Sequence, residues 1–190
     1  SSAASDVYKR QAVPDSIMLI VAPGCCGRNT SLISSMPEYN DRFFYLMMDE
    51  TDIVTGRHLK KIPKAVKEIC DCCEKKPSVV MICITCVDAL LGTDMERVCR
   101  KAEEKVDIPV RPCYMYALTR EGRKPPMVHV RQSLYSLLEP QKKKGNVVNL
   151  LGFFSPLVDD CEMYELLQQA GVKTIHEISR CKDYEEYQTM

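Results

Sequence analysis

Six short apolar runs alternate along the chain with stretches that carry helical periodicity. The runs cover residues 17–21, 43–47, 79–84, 108–111, 147–151 and 172–175. Each run has the length of a strand, and a strict alternation of strand and helix is typical of a parallel sheet with helices on both faces. The pattern therefore predicts an α/β protein with a doubly wound, Rossmann-like sheet.

Four apolar stripes at helical spacing lie between and after these runs. The clearest stripe consists of Met95, Val98, Cys99, Ala102 and Val106. The other three consist of Leu59, Ile62, Val66, Ile69 and Cys73, of Val130, Leu134, Leu137 and Leu138, and of Met163, Leu166, Leu167 and Ala170. Each stripe predicts a helix that buries one face. We also expect a capping box between Thr93 and Glu96, and a helix end at Gly171.

A polar segment divides the chain. The sequence "EPQKKKGN" at 139–146 combines charge with Pro and Gly, which is typical of a linker. We expect a first α/β domain at 12–140, a linker at 141–146 and the start of a second α/β domain at 147–190, truncated because it holds too few elements for a core of its own. Residues 1–11 show no periodicity, and we expect them to be a non-native leader ahead of a fragment.

The balance of charge and hydrophobicity excludes several classes of partner. The chain of 190 residues contains 26 Lys and Arg against 26 Asp and Glu, and 45% of its residues are hydrophobic. Without a basic excess, the sequence predicts no nucleic acid partner and no anionic membrane partner. No apolar run approaches the roughly 18 residues of a membrane span. The sequence contains no phosphate-binding loop of the nucleotide-hydrolase type, so any ATP hydrolysis belongs to a partner.

Cysteines are the most informative residues. There are 11 of them at irregular spacing, mostly inside strand or helix patterns, which predicts reduced thiols and a cytoplasmic location. Several cysteines and carboxylates lie at or just after the ends of apolar runs: Cys25, Cys26, Asp49, Glu50, Cys83, Cys86 and Cys113. The carboxyl ends of parallel strands meet at one edge, where ligands bind, so we expect Cys26 and Cys86 to lie close together. Thiols gathered in this way suit zinc, copper(I) or iron-sulfur clusters.

Many of these thiols have a simpler explanation, because cysteine is often a small buried hydrophobe. We assign that role to Cys70, Cys73, Cys83, Cys99, Cys161 and Cys181, and we expect Cys72 to face solvent. Cys26 and Cys86 differ, since each lies in a turn flanked by Gly, Thr or Pro, where packing does not require a thiol. Zinc is the weaker choice of metal, because no second close pair has the spacing of a zinc ribbon.

The remaining polar residues give little indication of chemistry. Asp49 and Glu50 could act as acid-base groups or docking charges, although a solvated loop is the favoured interpretation. His58 and His176 are interpreted as surface or cap residues, and His129 as part of a helix. No histidine has a cysteine or carboxylate neighbour at a metal-ligand spacing. No catalytic residue is assigned.

Four segments carry a resemblance to a known family. They are "APGCCGRNT" at 22–30, "MMDETDIVTGRHLKKIPKAV" at 47–66, "ICITCVDALLGTDMERVCRKAEEKVDIPV" at 82–110 and "NVVNLLGF" at 146–153. In this order they resemble the component 1 family of nitrogenase and nitrogenase-like oxidoreductases. The chain departs from the family pattern at Val21, where a histidine is usual, and at Arg57, where a second glycine is usual.

The resemblance implies a set of site residues. It places the two cluster-ligand motifs of the family at Cys26 and Cys86, which are thereby implied to be metal ligands. Cys25 occupies a position usually held by glycine, and it is either a spare ligand or simply a small residue. Arg28, close to Cys26, could offset the charge of a cluster, or it could be an exposed arginine at a helix start.

The resemblance also implies a function. It implies an iron-sulfur oxidoreductase subunit of an anaerobe that relays electrons from an ATP-driven, iron-protein-like reductase to a substrate or cofactor. The cluster would be shared with a related component 1 subunit in a homo- or hetero-oligomer. An alternative is a noncatalytic scaffold or carrier for the assembly of an iron-sulfur cluster or metallocofactor. A third possibility is a binding module that keeps the fold without the metal.

Overall fold

Four parallel strands form the main sheet of the protein. The computed structural model describes residues 13–26, 41–114, 126–142, 145–152 and 155–190. In these ranges β1 (Ile17–Pro23), β2 (Phe43–Met48), β3 (Val80–Ile84) and β4 (Val110–Tyr114) lie in the order β2, β1, β3, β4. A parallel pair, β5 (Val147–Leu150) and β6 (Thr174–Glu177), forms a second sheet. The predicted doubly wound α/β sheet is confirmed.

Helices connect the strands. They are α1 (Glu50–Thr55), α2 (His58–Cys72), α3 (Cys86–Leu91), α4 (Met95–Val106), α5 (Pro126–Tyr135), α6 (Glu162–Gln169) and α7 (Tyr184–Gln188), with a 3₁₀ turn at Ile178–Arg180. The four predicted apolar stripes lie on α2, α4, α5 and α6, apart from the last one or two positions of three of them. In the described ranges, no helix has the length and apolar character that crossing a membrane requires.

The alternation of side chains along β1 divides the core into two layers. On one face, Ile17, Leu19 and Val21 pack with the buried stripes of α2 and α4. On the other face, Met18 and Ile20 pack with α5 and with residues of the C-terminal segment. All five residues of β3 are buried, because layers of side chains cover both of its faces. This double burial explains why the strands appear as continuous apolar runs in the sequence.

Two strands begin two residues later than the apolar pattern predicts. The fourth strand begins at Val110, because Asp107 adopts a left-handed conformation (φ 53°) at the end of α4 and Pro109 has no amide hydrogen for the ladder. The sixth strand begins at Thr174, because Gly171 (φ 87°) turns the chain after α6. In both places a turn residue shortens the strand at its amino end.

Cysteines away from the strand ends fill the core to different degrees. Cys83 and Cys99 are buried and Cys72 is exposed, as predicted. Cys70, Cys73, Cys161 and Cys181 are half-buried. Cys113 lies inside β4, opposite Cys83, and is buried. The expectation that Cys113 follows the end of its strand is therefore wrong.

Side chains cover the outer edge of β4, the last strand of this sheet in the described ranges. Val110 N donates to Glu103 Oε1 at 2.9 Å, and Val110 O accepts from Arg111 Nη1 at 3.0 Å. Pro112 has no amide hydrogen, and its carbonyl accepts from Ser133 Oγ at 2.8 Å. These backbone groups are consequently not free to pair with another strand.

The C-terminal segment packs back onto the main sheet. Ile178 and Tyr187 are buried in the layer that β1 and α5 form. Tyr187 OH donates to Leu134 O at 2.9 Å, and Glu139 N donates to Gln188 O at 2.9 Å. This segment thus completes one face of the main sheet.

The apolar stripe of α6 is not covered by the described residues. Met163 is 44% exposed and Leu166 is 55% exposed. No residue of α6 is buried. The helix is confirmed, but the burial that its stripe predicts is absent from the described part of the chain.

Glu177, the last residue of β6, accepts several hydrogen bonds through its buried side chain. Its side chain is 5% exposed. It accepts hydrogen bonds from Leu157 N, Tyr164 OH and Ser179 Oγ, each at 2.7 Å, and from Arg180 Nε at 3.0 Å. Burial by itself would raise the pKa of Glu177, but these donors outweigh it and lower the pKa below its usual value.

We expect Glu177 to contribute to the acid sensitivity of the fold. The pKa of Glu177 is lower in the folded than in the unfolded chain. Its contribution to the free energy of unfolding is therefore present at pH values above the ordinary pKa of 4.5, and it is lost as the pH falls through the pKa of the folded chain. Glu177→Gln should lower the free energy of unfolding by about 1 to 3 kcal/mol at neutral pH. The difference between the two proteins should shrink in acid. Urea unfolding of both proteins from neutral to acid pH measures the difference in their free energies of unfolding. A difference that stays constant with pH would contradict the prediction.

Candidate functional site

Two strand ends meet at the carboxyl edge of the main sheet. The chain passes from β1 to β2 on one side and then returns to β3 on the other, so the strand order reverses between β1 and β3. Such a reversal opens the crevice in which α/β proteins bind ligands. Val21 of β1 pairs with Ile84 of β3, so the residues that follow on the two strands lie side by side.

The first of these ends carries two adjacent thiols. β1 ends at Pro23, and residues 24–26 are helical. Cys25 is exposed, whereas Cys26 is half-buried and packs against the core. Their sulfur atoms are 3.9 Å apart. Arg28, the fourth residue singled out by the sequence, lies outside the described residues.

The second end carries Cys86, the first residue of α3, which is half-buried. Thr85 precedes it as the N-cap in an extended conformation (φ −98°, ψ 179°), and its side chain makes no capping hydrogen bond. Thr85 is 6% exposed and its Oγ1 has no hydrogen-bond partner. The turn after β3 therefore presents a thiol beside an unpaired, buried hydroxyl.

The pKa of Cys26 responds to both neighbouring thiols. Burial raises the pKa of Cys26, and the hydrogen bond and charge of Cys25 raise it further. The charge of Cys86 also raises the pKa of Cys26, so the two strand ends are within electrostatic reach of each other. A cation placed among such thiols would stabilise their charged forms. The structure brings the three thiols to one edge, and their role as ligands stays a prediction.

A buried histidine joins α3 to the neighbouring segments. His58 is 1% exposed, so its interpretation as a surface or cap residue is wrong. His58 Nδ1 donates to Asp52 O at 3.0 Å, because a carbonyl only accepts, and His58 Nε2 lies 2.9 Å from Asp88 Oδ1. Thr93 Oγ1 donates to the same Asp88 oxygen at 3.3 Å. The predicted capping box at Thr93 is therefore wrong, and Asp94 caps α4 instead.

Asp52 extends this network towards β2. It is 1% exposed, its Oδ2 accepts from Lys61 Nζ at 2.6 Å, and its Oδ1 lies 3.4 Å from Arg57 Nε. The hydrogen bond from Lys61 is the largest influence on the pKa of Asp52, which is lowered. Asp49 and Glu50 are exposed, which fits the favoured interpretation of a solvated segment. Asp49 has a local role, since it caps α1 by accepting from Asp52 N at 2.7 Å.

The sequence matches a known family over most of its length. A sequence model of the nitrogenase component 1 type oxidoreductases matches residues 8–190. The chain belongs to this family. The resemblance carried by the cysteine and acidic motifs is thereby confirmed.

Similar proteins of the component 1 type include cofactor biosynthesis proteins. The nitrogenase iron-molybdenum cofactor biosynthesis protein NifE of Rhizobium meliloti (strain 1021) is 29% identical over 170 residues, which cover 86% of this chain and 35% of that protein. The protein of the same name from Nostoc sp. (strain PCC 7120 / SAG 25.82 / UTEX 2576) is 27% identical over 181 residues, which cover 92% and 37%. The chain thus spans about a third of the length of these curated relatives.

A solved structure shares the fold of this component 1 type chain. The structure described as "Nitrogenase Cp1 at pH 5" superposes with a TM-score of 0.67 and is 21% identical in sequence. It covers 96% of this chain, and this chain covers 40% of it. At this level of identity the likeness supports the α/β architecture described above.

Membership of the component 1 type family implies a metal-sulfur cluster. Such a cluster fits the chemical kind of the thiol donors in this chain but not their number. Thiolates are the usual ligands of such clusters, and Cys25, Cys26 and Cys86 lie at one edge of the sheet. Within the described ranges, no group of three or more Cys, His, Asp or Glu side chains is arranged to hold a metal ion. A cluster commonly takes about four thiolates, so the described residues do not complete a cluster site.

The pair formed by His58 and Asp88 was not predicted from the sequence. His58 lies four residues before Ile62 and eight before Val66, both of which are buried on α2. That spacing is a signal for burial. Asp88 carries no comparable signal, because α3 has only six residues and its apolar Leu90 is exposed.

Proposed function

We propose that this chain is part of a component 1 type subunit that binds an iron-sulfur cluster through Cys26 and Cys86. The meeting of these two thiols at adjacent strand ends, on a sheet edge suited to ligands, supports the proposal. Cys25, whose sulfur lies 3.9 Å from that of Cys26, is a candidate third ligand. Arg28 would offset negative charge at the cluster. When bound, such a cluster supplies one-electron chemistry.

The missing ligands would come from outside the described residues. We propose that a related component 1 subunit supplies them, in a homo- or hetero-oligomer that holds the cluster between subunits. Residues 12–140 would then form the cluster-binding domain, 141–146 a linker and 147–190 the beginning of a second α/β domain. The hydrogen bond from Tyr187 to Leu134 would join these two parts.

The role that we favour is that of a scaffold or carrier in the assembly of a metal-sulfur cofactor. Two relatives named above are cofactor biosynthesis proteins, which supports this choice. A scaffold must also release what it holds. An exposed thiol at Cys25 beside the half-buried Cys26 would give an acceptor protein access to the bound metal.

An electron-relay oxidoreductase subunit is the second candidate. The description of the family as oxidoreductases supports it. In that role the subunit would work with an ATP-driven, iron-protein-like reductase and with a substrate or cofactor held elsewhere. Both roles require the same thiols, so the cluster is tested first and the role second.

Anaerobic purification of the chain, once by itself as a homo-oligomer and once together with a related component 1 subunit, is the test of the cluster. We expect iron and acid-labile sulfide in near-equal amounts, because an iron-sulfur cluster contains both, and a visible absorption that dithionite bleaches. The measurements are metal analysis, sulfide analysis and absorption spectra before and after reduction. A folded, colourless protein without iron in both preparations would overturn the proposed function.

The two roles differ in the fate of the metal. For a scaffold, we expect iron to move from the loaded chain to an acceptor protein on mixing, with the donor left metal-free. For a relay subunit, we expect the iron to stay bound while the reduced protein is reoxidised repeatedly by a small substrate. Separation of donor and acceptor followed by iron analysis of each distinguishes the roles.

A further inference from the structure

The short helix that carries Cys86 is attached to the protein by a polar contact. Asp88 is the one buried residue of α3. None of its apolar residues is buried: Leu90 and Leu91 are 65% and 53% exposed, and the others are half-buried. Asp88 lies in the first turn of α3, two residues after Cys86. The contact that Asp88 makes therefore lies close in the chain to the thiol.

The partner of Asp88 belongs to a rigid part of the fold. His58 is the first residue of α2, a helix of 15 residues whose Ile62 and Val66 are fully buried against the sheet. His58 also donates to Asp52 O in α1. His58 thus ties the segment that follows β3 to the segments that follow β2.

The contact between His58 Nε2 and Asp88 Oδ1 has the geometry of a hydrogen bond, and it attaches α3 firmly to α2. His58 Nδ1 carries a hydrogen because it faces a carbonyl, and one further hydrogen lies between His58 Nε2 and Asp88 Oδ1, since two lone pairs at 2.9 Å would repel. The two side chains are 1% and 0% exposed, so water does not compete for the bond. Asp88 Oδ2 has no hydrogen-bond partner, and the attachment therefore depends on Oδ1, which also accepts from Thr93.

We propose that His58 and Asp88 form a positioning pair that holds Cys86 in place against the thiols at the end of β1. This inference rests on the proposed function and deepens it, because the pair would preset the spacing of the two ligands before any metal binds. Neither residue contacts the metal in this proposal. They act through the placement of α3.

Bridging of Cys26 and Cys86 by dibromobimane in the metal-free 190-residue chain tests the pair, because this reagent joins two thiols only when they are close. The bridged peptides are quantified by mass spectrometry in a Cys25→Ser background, so that the neighbouring thiol does not compete. His58→Gln keeps a donor near the Nε2 position for Asp88. His58→Asn is its matched control, because it keeps a donor only near the Nδ1 position, for Asp52.

Asp88→Ala removes the contact from the other side. The substitution removes Asp88 Oδ2, a buried oxygen without a hydrogen-bond partner, and it raises the helix propensity of α3. We therefore expect the variant to fold. Urea unfolding of each variant shows whether it is folded. This variant keeps the proposal testable if His58→Asn does not fold.

We expect the parent and His58→Gln to bridge at similar rates, and His58→Asn and Asp88→Ala to bridge about tenfold more slowly, the factor that corresponds to the loss of one buried hydrogen bond. Parental rates in both His58→Asn and Asp88→Ala would overturn the positioning role, as would a His58→Gln variant as slow as His58→Asn. The assay uses no metal. If neither preparation binds iron but the metal-free chain bridges in the expected order, the proposed function is overturned and the positioning pair is supported.

Discussion

Replacing Cys26 and Cys86 together by serine is expected to remove the bound iron and sulfide and to leave the chain folded. A serine hydroxyl stays protonated near neutral pH and is a hard oxygen donor, whereas iron-sulfur clusters take thiolates. Both cysteines are half-buried, so the loss of packing is small. Iron and sulfide analysis after anaerobic purification measures the effect, and urea unfolding checks the fold.

Cys72→Ser is the matched control for this experiment. Cys72 is an exposed thiol at the end of α2, and it lines a cavity with Ile17, at the amino end of β1. It therefore lies away from the carboxyl edge that carries Cys26 and Cys86. We expect wild-type iron in this variant. Wild-type iron in the double variant, or an equal loss in the control, would contradict a cluster at the carboxyl edge.

Tyr187→Ala is expected to lower the free energy of unfolding by about 3 to 5 kcal/mol, the usual cost of removing a buried aromatic side chain. Tyr187 has no exposed surface and packs in the layer between β1 and α5. Its hydroxyl donates to Leu134 O at 2.9 Å. Urea unfolding measures the loss of free energy. We expect the main sheet to be destabilised together with the C-terminal segment, because the side chain is part of the core of that sheet.

Tyr187→Phe separates the ring from the hydroxyl. It keeps the packing and removes one buried hydrogen bond, so we expect a loss of about 1 kcal/mol. A Tyr187→Ala variant as stable as Tyr187→Phe would show that the C-terminal segment does not dock on the sheet in solution.

The sequence by itself determined the class of fold and the candidate ligands. Apolar runs of strand length and stripes at helical spacing are local signals. They predicted β1 and β3 closely because both faces of these strands are buried, and α4 closely because one whole face of this helix is buried. Cys26 and Cys86 were also found locally, because each lies in the turn that follows an apolar run. The rule that parallel strand ends meet at one edge then placed them together.

The tertiary structure alone decided the contacts between distant residues. His58 and Asp88 are 30 positions apart, and Tyr187 and Leu134 are 53 positions apart. The spacing of His58 before Ile62 and Val66 indicates burial but not the residue that it contacts. No local pattern shows that Tyr187 is buried, because its burial depends on which elements pack over it. A buried polar group is retained only when the fold supplies its hydrogen-bond partner, and that partner is chosen by the packing of whole helices and strands rather than by the neighbouring sequence.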